Sequence, residues 1–262
     1  MQVNQTREKM LRGEAAFGCG LQCYRSAEIP RTFAAAGFDY VFIDMEHSAY
    51  NLETVQDMIK ASLDTGITPI VRIGELLYSL AARLLDSGAQ GIIFPRVEDP
   101  AILRDALSWV RFPPLGKRGY GVNATMIRYE TAGFPAIIEH QNRNTLAVVQ
   151  FETCTAVERA DELLSVKGLD VVMVGPADLS ISLGVPGQME HPSLVSTIDT
   201  IIEKCKKHGV IPGIQTRSVA MSKFWTERGM LFVGTAAEHA LLLEKAKEAV
   251  GQLHASARVQ NA

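Results

Sequence analysis

Cysteine is scarce in this sequence of 262 residues, and its four cysteines, Cys19, Cys23, Cys154 and Cys205, include no CxxC pair. So few thiols without paired spacing exclude a disulfide-stapled scaffold. Because HxxxH is absent as well, a structural zinc site is not expected. Cys19 and Cys23 lie on or just after the first predicted strand, and no clear histidine partner marks either one as a nucleophile.

Long apolar runs are also missing. The longest, such as LAVVQF (146–151), fall far short of the ~20 residues that span a bilayer. The N-terminus, MQVNQTREKMLRGE, carries charges where a signal peptide needs an apolar core. Lys and Arg total 26 against 29 Asp and Glu, so the net charge of −3 gives no general attraction to nucleic acid. We therefore expect a soluble, cytoplasmic protein that binds neither membrane nor nucleic acid.

Several catalytic fingerprints are absent. The sequence has no Walker loop, no GxGxxG and no GxSxG nucleophile elbow. Every lysine falls in a predicted helix or loop, whereas a Schiff-base aldolase needs a lysine that points into the site from a strand. Carbonyl chemistry in this protein would therefore need a metal ion as its electron sink.

What the sequence does contain is a repeated alternation of short apolar segments and helical patterns. Most of the apolar segments are continuous, as in parallel strands that helices cover. Eight strands in one domain over residues 1–262 predict an α/β (β/α)₈ TIM barrel, with a doubly wound sheet as the competitor. The segments are 17–22, 40–46, 68–73, 91–97, 146–152, 170–176, 210–216 and 230–235.

Two segments are longer than a (β/α)₈ barrel requires. The connection 111–144 is rich in Gly and Pro, and so long a connection is either functional, an interface element or a decorated surface loop. The C-terminal helix is longer than closure of the barrel requires, which indicates packing against another subunit.

Function in such a barrel lies at the C-terminal ends of the strands. Glu152 and Asp178 follow adjacent strands, so their side chains are candidates to converge on one divalent cation. The alternative makes Asp178 a helix N-cap and Glu152 a surface acid.

Asp44, His47 and Arg72 also follow strands. Asp44 and His47 are candidates for a carboxylate–imidazole pair suited to general base catalysis, although a histidine there is more often structural. Arg72 offers a planar donor fork for a carboxylate, and its alternative is a salt bridge to Asp86 or Glu75.

The sequence resembles the HpcH/HpaI family of class II pyruvate-dependent aldolases over nearly its whole length. The resemblance implies a (β/α)₈ barrel that assembles as a homohexamer through exchanged C-terminal helices. The stretches that carry it keep the family's order and spacing: GFDYVFIDMEHSAYN (37–51), PIVRI (69–73), GIIFPRVEDP (91–100), GKRGYG (116–121), VVQFET (148–153) and GPADLSISLGVPGQMEHP (175–192).

The resemblance also implies a role for each candidate residue. Glu152 and Asp178 correspond to the ligands of a divalent metal, Mg²⁺, Mn²⁺ or Co²⁺, and backbone amides at Ala177 and Asp178 to the donors that hold the pyruvate carboxylate. Gln150 corresponds to the glutamine that faces the bound keto acid.

The remaining candidates correspond to the groups that move or stabilise charge. Arg72 corresponds to the arginine near the developing oxyanion, and His47 to the catalytic histidine with Asp44 as its partner. Asp86 corresponds to an aspartate that supports the arginine or this pair, often across a subunit boundary.

The implied activity is metal-dependent, reversible cleavage of a 4-hydroxy-2-oxo acid to pyruvate and an aldehyde. The alternatives are an oxaloacetate decarboxylase or citrate-lyase-like C–C lyase with the same site, and a non-catalytic barrel that binds a keto acid. Arg96 stands where some family members are apolar, and Asn123-Ala124 replaces a stretch that contains serine. Both differences predict a reshaped aldehyde pocket.

Overall fold

The eight predicted strands form a closed barrel in which all neighbours are parallel and β8 pairs with β1. The computed structural model describes residues 1–121 and 124–259. Closure confirms the (β/α)₈ class and excludes the doubly wound sheet, which has two open edges; the single-domain organisation stays a prediction. The strands are β1 (Ala16–Leu21), β2 (Tyr40–Asp44), β3 (Thr68–Arg72), β4 (Gly91–Phe94), β5 (Leu146–Phe151), β6 (Val171–Val174), β7 (Ile211–Thr216) and β8 (Phe232–Ala237).

Helices precede, connect and follow the strands, and local sequence signals bound them. Asn51 caps α3 by accepting a hydrogen bond from the Thr54 amide, and Gly66 ends it with φ +82°. The helices are α1 (Gln5–Leu11), α2 (Glu28–Ala35), α3 (Leu52–Thr65), α4 (Tyr78–Asp86), α5 (Pro100–Ser108), α6 (Phe134–Asn144), α7 (Cys154–Glu158), α8 (Ala160–Leu164), α9 (Pro176–Ser182), α10 (Pro192–His208), α11 (Val219–Glu227) and α12 (Glu238–Val259).

Apolar side chains pack in two layers, one between strands and helices and one inside the barrel. In the inner layer the Tyr40 ring stacks on Phe232 with centroids 4.3 Å apart. Gly18 leaves room for that ring, because a Cβ there would lie 2.1 Å from a Tyr40 ring carbon. Met10 of α1 belongs to the same inner layer, so the N-terminal helix closes one end of the barrel.

The long connection lies at that closed end. It follows α5, and its Arg118 donates to Asp86 at the end of α4, 2.8 Å away. Arg111 donates to Asp170, which immediately precedes β6. Within one chain the connection is therefore remote from the strand ends where function is expected. Asn123 lies outside the described residues.

The C-terminal helix α12 runs for 22 residues. From Leu242 to residue 256 its side chains are exposed, and Leu253 is 67% accessible. Exchange of this helix between subunits stays a prediction. Among the residues described, no helix is both long and apolar enough to cross a membrane.

Candidate active site

The C-terminal ends of β2 and β3 bring Asp44 and Arg72 together. The two residues are partners in the strand register, so their side chains leave the sheet on the same side. Arg72 donates from Nε to Asp44 Oδ1 at 3.0 Å and from Nη2 to Oδ2 at 2.7 Å. This is the bidentate geometry that makes arginine–carboxylate pairs strong.

Asp44 is fully buried and surrounded by donors. Gln22 Nε2 donates to its Oδ2, and the backbone amides of Glu46 and His47 donate to its Oδ1. Burial opposes ionisation, but the hydrogen bonds and charge of Arg72 outweigh it and hold the pKa of Asp44 below its usual range. The predicted carboxylate–imidazole pair is therefore wrong in this structure, because Asp44 binds Arg72 and contacts His47 only through the backbone.

The third guanidinium nitrogen of Arg72, Nη1, contacts Gln150 and Glu46 instead of Asp44. Nη1 donates to Gln150 Oε1 at 3.1 Å and lies 3.1 Å from Glu46 Oε2. The guanidinium also sits over the Phe42 ring, 5.1 Å from its centroid. A salt bridge from Arg72 to Asp86, the alternative raised by the sequence, does not form within the described residues; Asp86 pairs with Arg118 instead.

Gln150 connects this pair to Glu152. The two residues lie two positions apart at the end of β5, so both side chains point to the same side. Gln150 Nε2 donates to Glu152 Oε2. A continuous network thus runs from Asp44 through Arg72 and Gln150 to Glu152.

Glu152 is buried, with a side chain only 4% accessible, so the surface-acid alternative is wrong. Its Oε1 is buried without a hydrogen-bond partner. Burial, reinforced by the charges of Glu46 and Asp178, raises the pKa of Glu152. The hydrogen bond from Gln150 to Oε2 and the distant charge of Arg96 therefore do not fully compensate for the burial of this carboxylate.

Asp178 lies in the first turn of α9, directly after β6, and its side chain is 45% accessible. The N-cap of α9 is Gly175, so the predicted alternative of Asp178 as the N-cap is wrong. Gly175 also makes room for the neighbouring carboxylate, because a Cβ there would lie 3.1 Å from Glu152 Oε2.

Arg96 forms ion pairs with three carboxylates, those of Glu46, Glu152 and Asp178. Its Nε lies 3.3 Å from Glu46 and 3.9 Å from Glu152, and its Nη2 lies 3.9 Å from Asp178. The side chain is 61% accessible, so these contacts are loose and screened by solvent. Carboxylate oxygens are the ligands that a hard divalent cation prefers, and Glu152 keeps one buried oxygen without a hydrogen bond.

A cavity of roughly 400 Å³ opens beside this cluster, a size suited to a small molecule. Arg72, Gln150, Ala177 and Asp178 line it with polar groups. Ala177 and Asp178 belong to the first turn of α9, where backbone N–H groups have no partner within the helix.

Two predicted residues lie at or beyond the edge of this arrangement. His47 lines the cavity with a 54% accessible side chain, and its Nε2 is 3.8 Å from Glu46 Oε2. Asp86 is absent from the cavity, because it lies at the opposite end of the barrel beside Arg118. Burial raises the pKa of Asp86 although Arg118 donates to it.

Comparison with known proteins agrees with this geometry. The family model for HpcH/HpaI aldolase/citrate lyase matches residues 24–244. The chain belongs to the HpcH/HpaI aldolase/citrate lyase family.

Relatives in this family align over almost the entire chain. A hydroxypyruvate/pyruvate aldolase of Roseobacter denitrificans is 33% identical over 250 residues, covering 94% of this chain and 95% of the relative. A 4-hydroxy-2-oxo-heptane-1,7-dioate aldolase of Escherichia coli is 32% identical, covering 91% and 89%. The crystal structure of an HpcH/HpaI aldolase from Desulfitobacterium hafniense superposes with a TM-score of 0.89 at 29% identity, covering 94% and 95%. The predicted family and the aldolase class of enzyme are confirmed.

Two contributors to this HpcH/HpaI site had no assigned role in the sequence analysis. Glu46 lies in the DxEH segment two residues after Asp44, and that spacing is the signal that places both on one side. Gln22 follows β1 and donates to Asp44 at the end of the neighbouring strand β2. No local pattern marks Gln22, because its role depends on how β1 and β2 pair.

Proposed function

We propose that this chain cleaves a 4-hydroxy-2-oxo acid reversibly into pyruvate and an aldehyde, with Mg²⁺, Mn²⁺ or Co²⁺ held by Glu152 and Asp178. The observation that carries the proposal is the orphaned, buried Oε1 of Glu152 in a group of three carboxylates. A divalent cation there would offset the burial and the neighbouring negative charges that raise the pKa of Glu152. The names of the aldolase relatives support the reaction class.

The polar groups of the cavity divide the binding of the keto acid among them. When bound, the divalent cation supplies a Lewis acid that polarises the keto group. The amides of Ala177 and Asp178 would hold the carboxylate, and Gln150 would orient the keto acid. Arg72 Nη1 would stabilise the negative charge that develops on the keto oxygen, since Asp44 fixes the other two guanidinium nitrogens.

His47 would remove the proton from the C4 hydroxyl of the substrate. The C3–C4 bond then breaks, the aldehyde leaves, and the bonding electrons form the enolate of pyruvate, which takes up a proton at C3. The accessible position of His47 at the cavity edge supports contact with the part of the substrate that becomes the aldehyde. Asp44 acts in this scheme by positioning Arg72.

The protein would act as a homo-oligomer, a hexamer by family resemblance. Asp86 lies at the far end of its own barrel, so any role toward Arg72 requires the Arg72 of a neighbouring subunit. The exposed apolar side chains of α12 support packing of that helix on a partner. Sedimentation velocity of the full chain and of a chain truncated before α12 tests the assembly: loss of the oligomer on truncation is expected.

The function is tested by exchange of the pyruvate methyl protons in D₂O, followed by NMR with and without EDTA. Metal-dependent exchange is expected for the wild type and not for Glu152→Gln. Glu203→Gln, an exposed glutamate on α10, is the matched control and should exchange normally. Proton exchange at an unchanged rate after addition of EDTA would overturn the proposal. Release of pyruvate from oxaloacetate without aldehyde turnover would favour the decarboxylase alternative.

A further inference from the structure

A second group of metal-ligating side chains lies outside the Glu152–Asp178 pair. Cys23 follows β1, and Glu238 and His239 begin α12 at the end of β8. One ligand atom from each of the three lies within 4.8 Å of the others. Cys23 Sγ is 3.3 Å from His239 Nδ1, and Glu238 Oε2 is 3.7 Å from the same nitrogen.

The Glu238 side chain is buried, and only one of its two carboxylate oxygens accepts hydrogen bonds. Its Oε1 accepts hydrogen bonds from the backbone amides of Gln22, Cys23 and Tyr24, which fix the carboxylate in place. Its Oε2 is buried without a hydrogen-bond partner, and the side chain is 2% accessible. An orphaned buried carboxylate oxygen is costly, and here it is aimed at Cys23 and His239.

The same three residue types also make up a thiol–imidazole–acid catalytic triad, but the geometry excludes that use. A triad needs the thiol and the acid on different nitrogens of the imidazole, whereas Cys23 and Glu238 both approach Nδ1. In addition, burial and the charge of Glu238 raise the pKa of Cys23, the opposite of thiolate activation.

The distances between the ligand atoms of Cys23, Glu238 and His239 are compatible with one shared metal ion. Zinc bonds of about 2.3 Å to sulfur and about 2.0–2.2 Å to nitrogen and oxygen, arranged as a tetrahedron, separate ligand atoms by roughly 3.3–3.6 Å. Cys23 Sγ and Glu238 Oε2 lie 3.3 and 3.7 Å from His239 Nδ1, and the ligand atoms of Cys23 and Glu238 lie within 4.8 Å of each other. One thiolate and one carboxylate would also neutralise the charge of a divalent ion.

We propose that Cys23, Glu238 and His239 form a three-ligand site for Zn²⁺. The fourth position faces the cavity, because His239 and the adjacent Ala240 line it. A register shift between β1 and β8, together with Ala236 at φ +55°, turns the chain so that Glu238 points toward Cys23. The set is chemically distinct from the oxygen-only donors at Glu152, since a thiolate selects softer ions than Mg²⁺.

The test uses Co²⁺ as a spectroscopic probe on metal-stripped, full-length protein. We expect a thiolate-to-cobalt charge-transfer band in the near ultraviolet, and Zn²⁺ should abolish it by displacement. Cys23→Ser and His239→Gln should each remove the band, and far-UV circular dichroism checks that both variants are folded. Cys154→Ser, a half-buried cysteine elsewhere, is the matched control and should keep the band.

Glu152→Gln should also keep the band, which separates this site from the proposed aldolase site. Absence of the band in the wild type would overturn the inference, as would its survival in folded Cys23→Ser. Zinc affinity measured against a chromophoric chelator should fall by roughly tenfold or more when His239 is replaced.

Discussion

Arg72 and Asp44 are register partners on neighbouring strands, and two hydrogen bonds of 3.0 and 2.7 Å join their side chains. The pair occupies one edge of the guanidinium and leaves Nη1 for Gln150 and the cavity. Because both groups are buried, the charged form of each is stabilised by the opposite charge of the other.

Replacing Arg72 by lysine should lower kcat/KM for pyruvate release by roughly 10²-fold or more. Lysine keeps the charge but has no planar fork, so it cannot hold Asp44 and face the developing oxyanion together. A coupled assay of pyruvate release measures the effect. Arg104→Lys, on the exposed side of α5, should leave the rate unchanged. A change of less than threefold in Arg72→Lys would contradict the assignment.

Replacing Asp44 by asparagine should destabilise the fold by about 3–5 kcal/mol, because the buried Arg72 guanidinium loses the charge of its bidentate partner. The pKa of Asp44 is lowered, so its stabilising contribution is present above its ordinary pKa of 3.8 and is lost as pH falls through the lower, folded value. Urea unfolding across pH measures both effects. The control Asp57→Asn, in a surface pair with Lys60, should cost less than about 1 kcal/mol. An equal loss in both variants would refute the prediction.

Replacing Glu152 by glutamine should stabilise the metal-free protein by about 1 kcal/mol near pH 7 while removing metal binding. The pKa of Glu152 is raised, so the metal-free wild type loses stability as pH rises from the ordinary value of 4.5 through the folded value. Glutamine carries no charge and keeps an acceptor for Gln150. Thermal melts with EDTA and with Mn²⁺ measure the change. A melting temperature below that of the metal-free wild type would contradict it.

Replacing Arg96 by alanine should tighten divalent-metal binding roughly two- to fivefold, the scale of a screened ion pair. Arg96 lies within 3.3–3.9 Å of Glu46, Glu152 and Asp178, so its charge competes with an incoming cation. Isothermal titration with Mn²⁺ measures the affinity. Arg104→Ala provides the matched surface control. Weaker binding in Arg96→Ala would show that the arginine supports the ion.

Replacing Gly175 by alanine should weaken metal binding by about tenfold or more. The new methyl group would lie 2.8 Å from Gln150 Nε2 and 3.1 Å from Glu152 Oε2, so both side chains must move. Gly251→Ala in α12 adds the same group in open space and should leave affinity unchanged. Titration with Mn²⁺ compares the two variants, and unaltered affinity in Gly175→Ala would count against the site.

Local sequence patterns were sufficient for the barrel and for most of the candidate site. Continuous apolar strands followed by helices that end in glycine allow few topologies, and parallel strands bring all their C-terminal ends to one rim. For that reason Asp44, Arg72 and Glu152 were identifiable as candidates from their positions at or just after the strand ends, whereas the family resemblance supplied Gln150.

Pairings between those neighbours were not predictable. Asp44 and His47 are three residues apart, and this spacing suggested a carboxylate–imidazole pair. In the structure, the β2–β3 register places Arg72 beside Asp44, and the Asp44 carboxylate accepts hydrogen bonds from Arg72. Asp86 is a candidate through the family resemblance, and α4 carries it back to the opposite end of its own barrel.

The strands, their order and the polar groups at their ends follow from the amino-acid sequence, because apolar periodicity and turn residues act over short stretches of chain. Which of those polar groups come into contact depends on the folded barrel. Cys23 meets Glu238 and His239 because β8 closes on β1, bringing together groups separated by 215 and 216 residues. Hydrogen bonding and metal ligation act over a few ångströms in space, and closure of the barrel sets those distances.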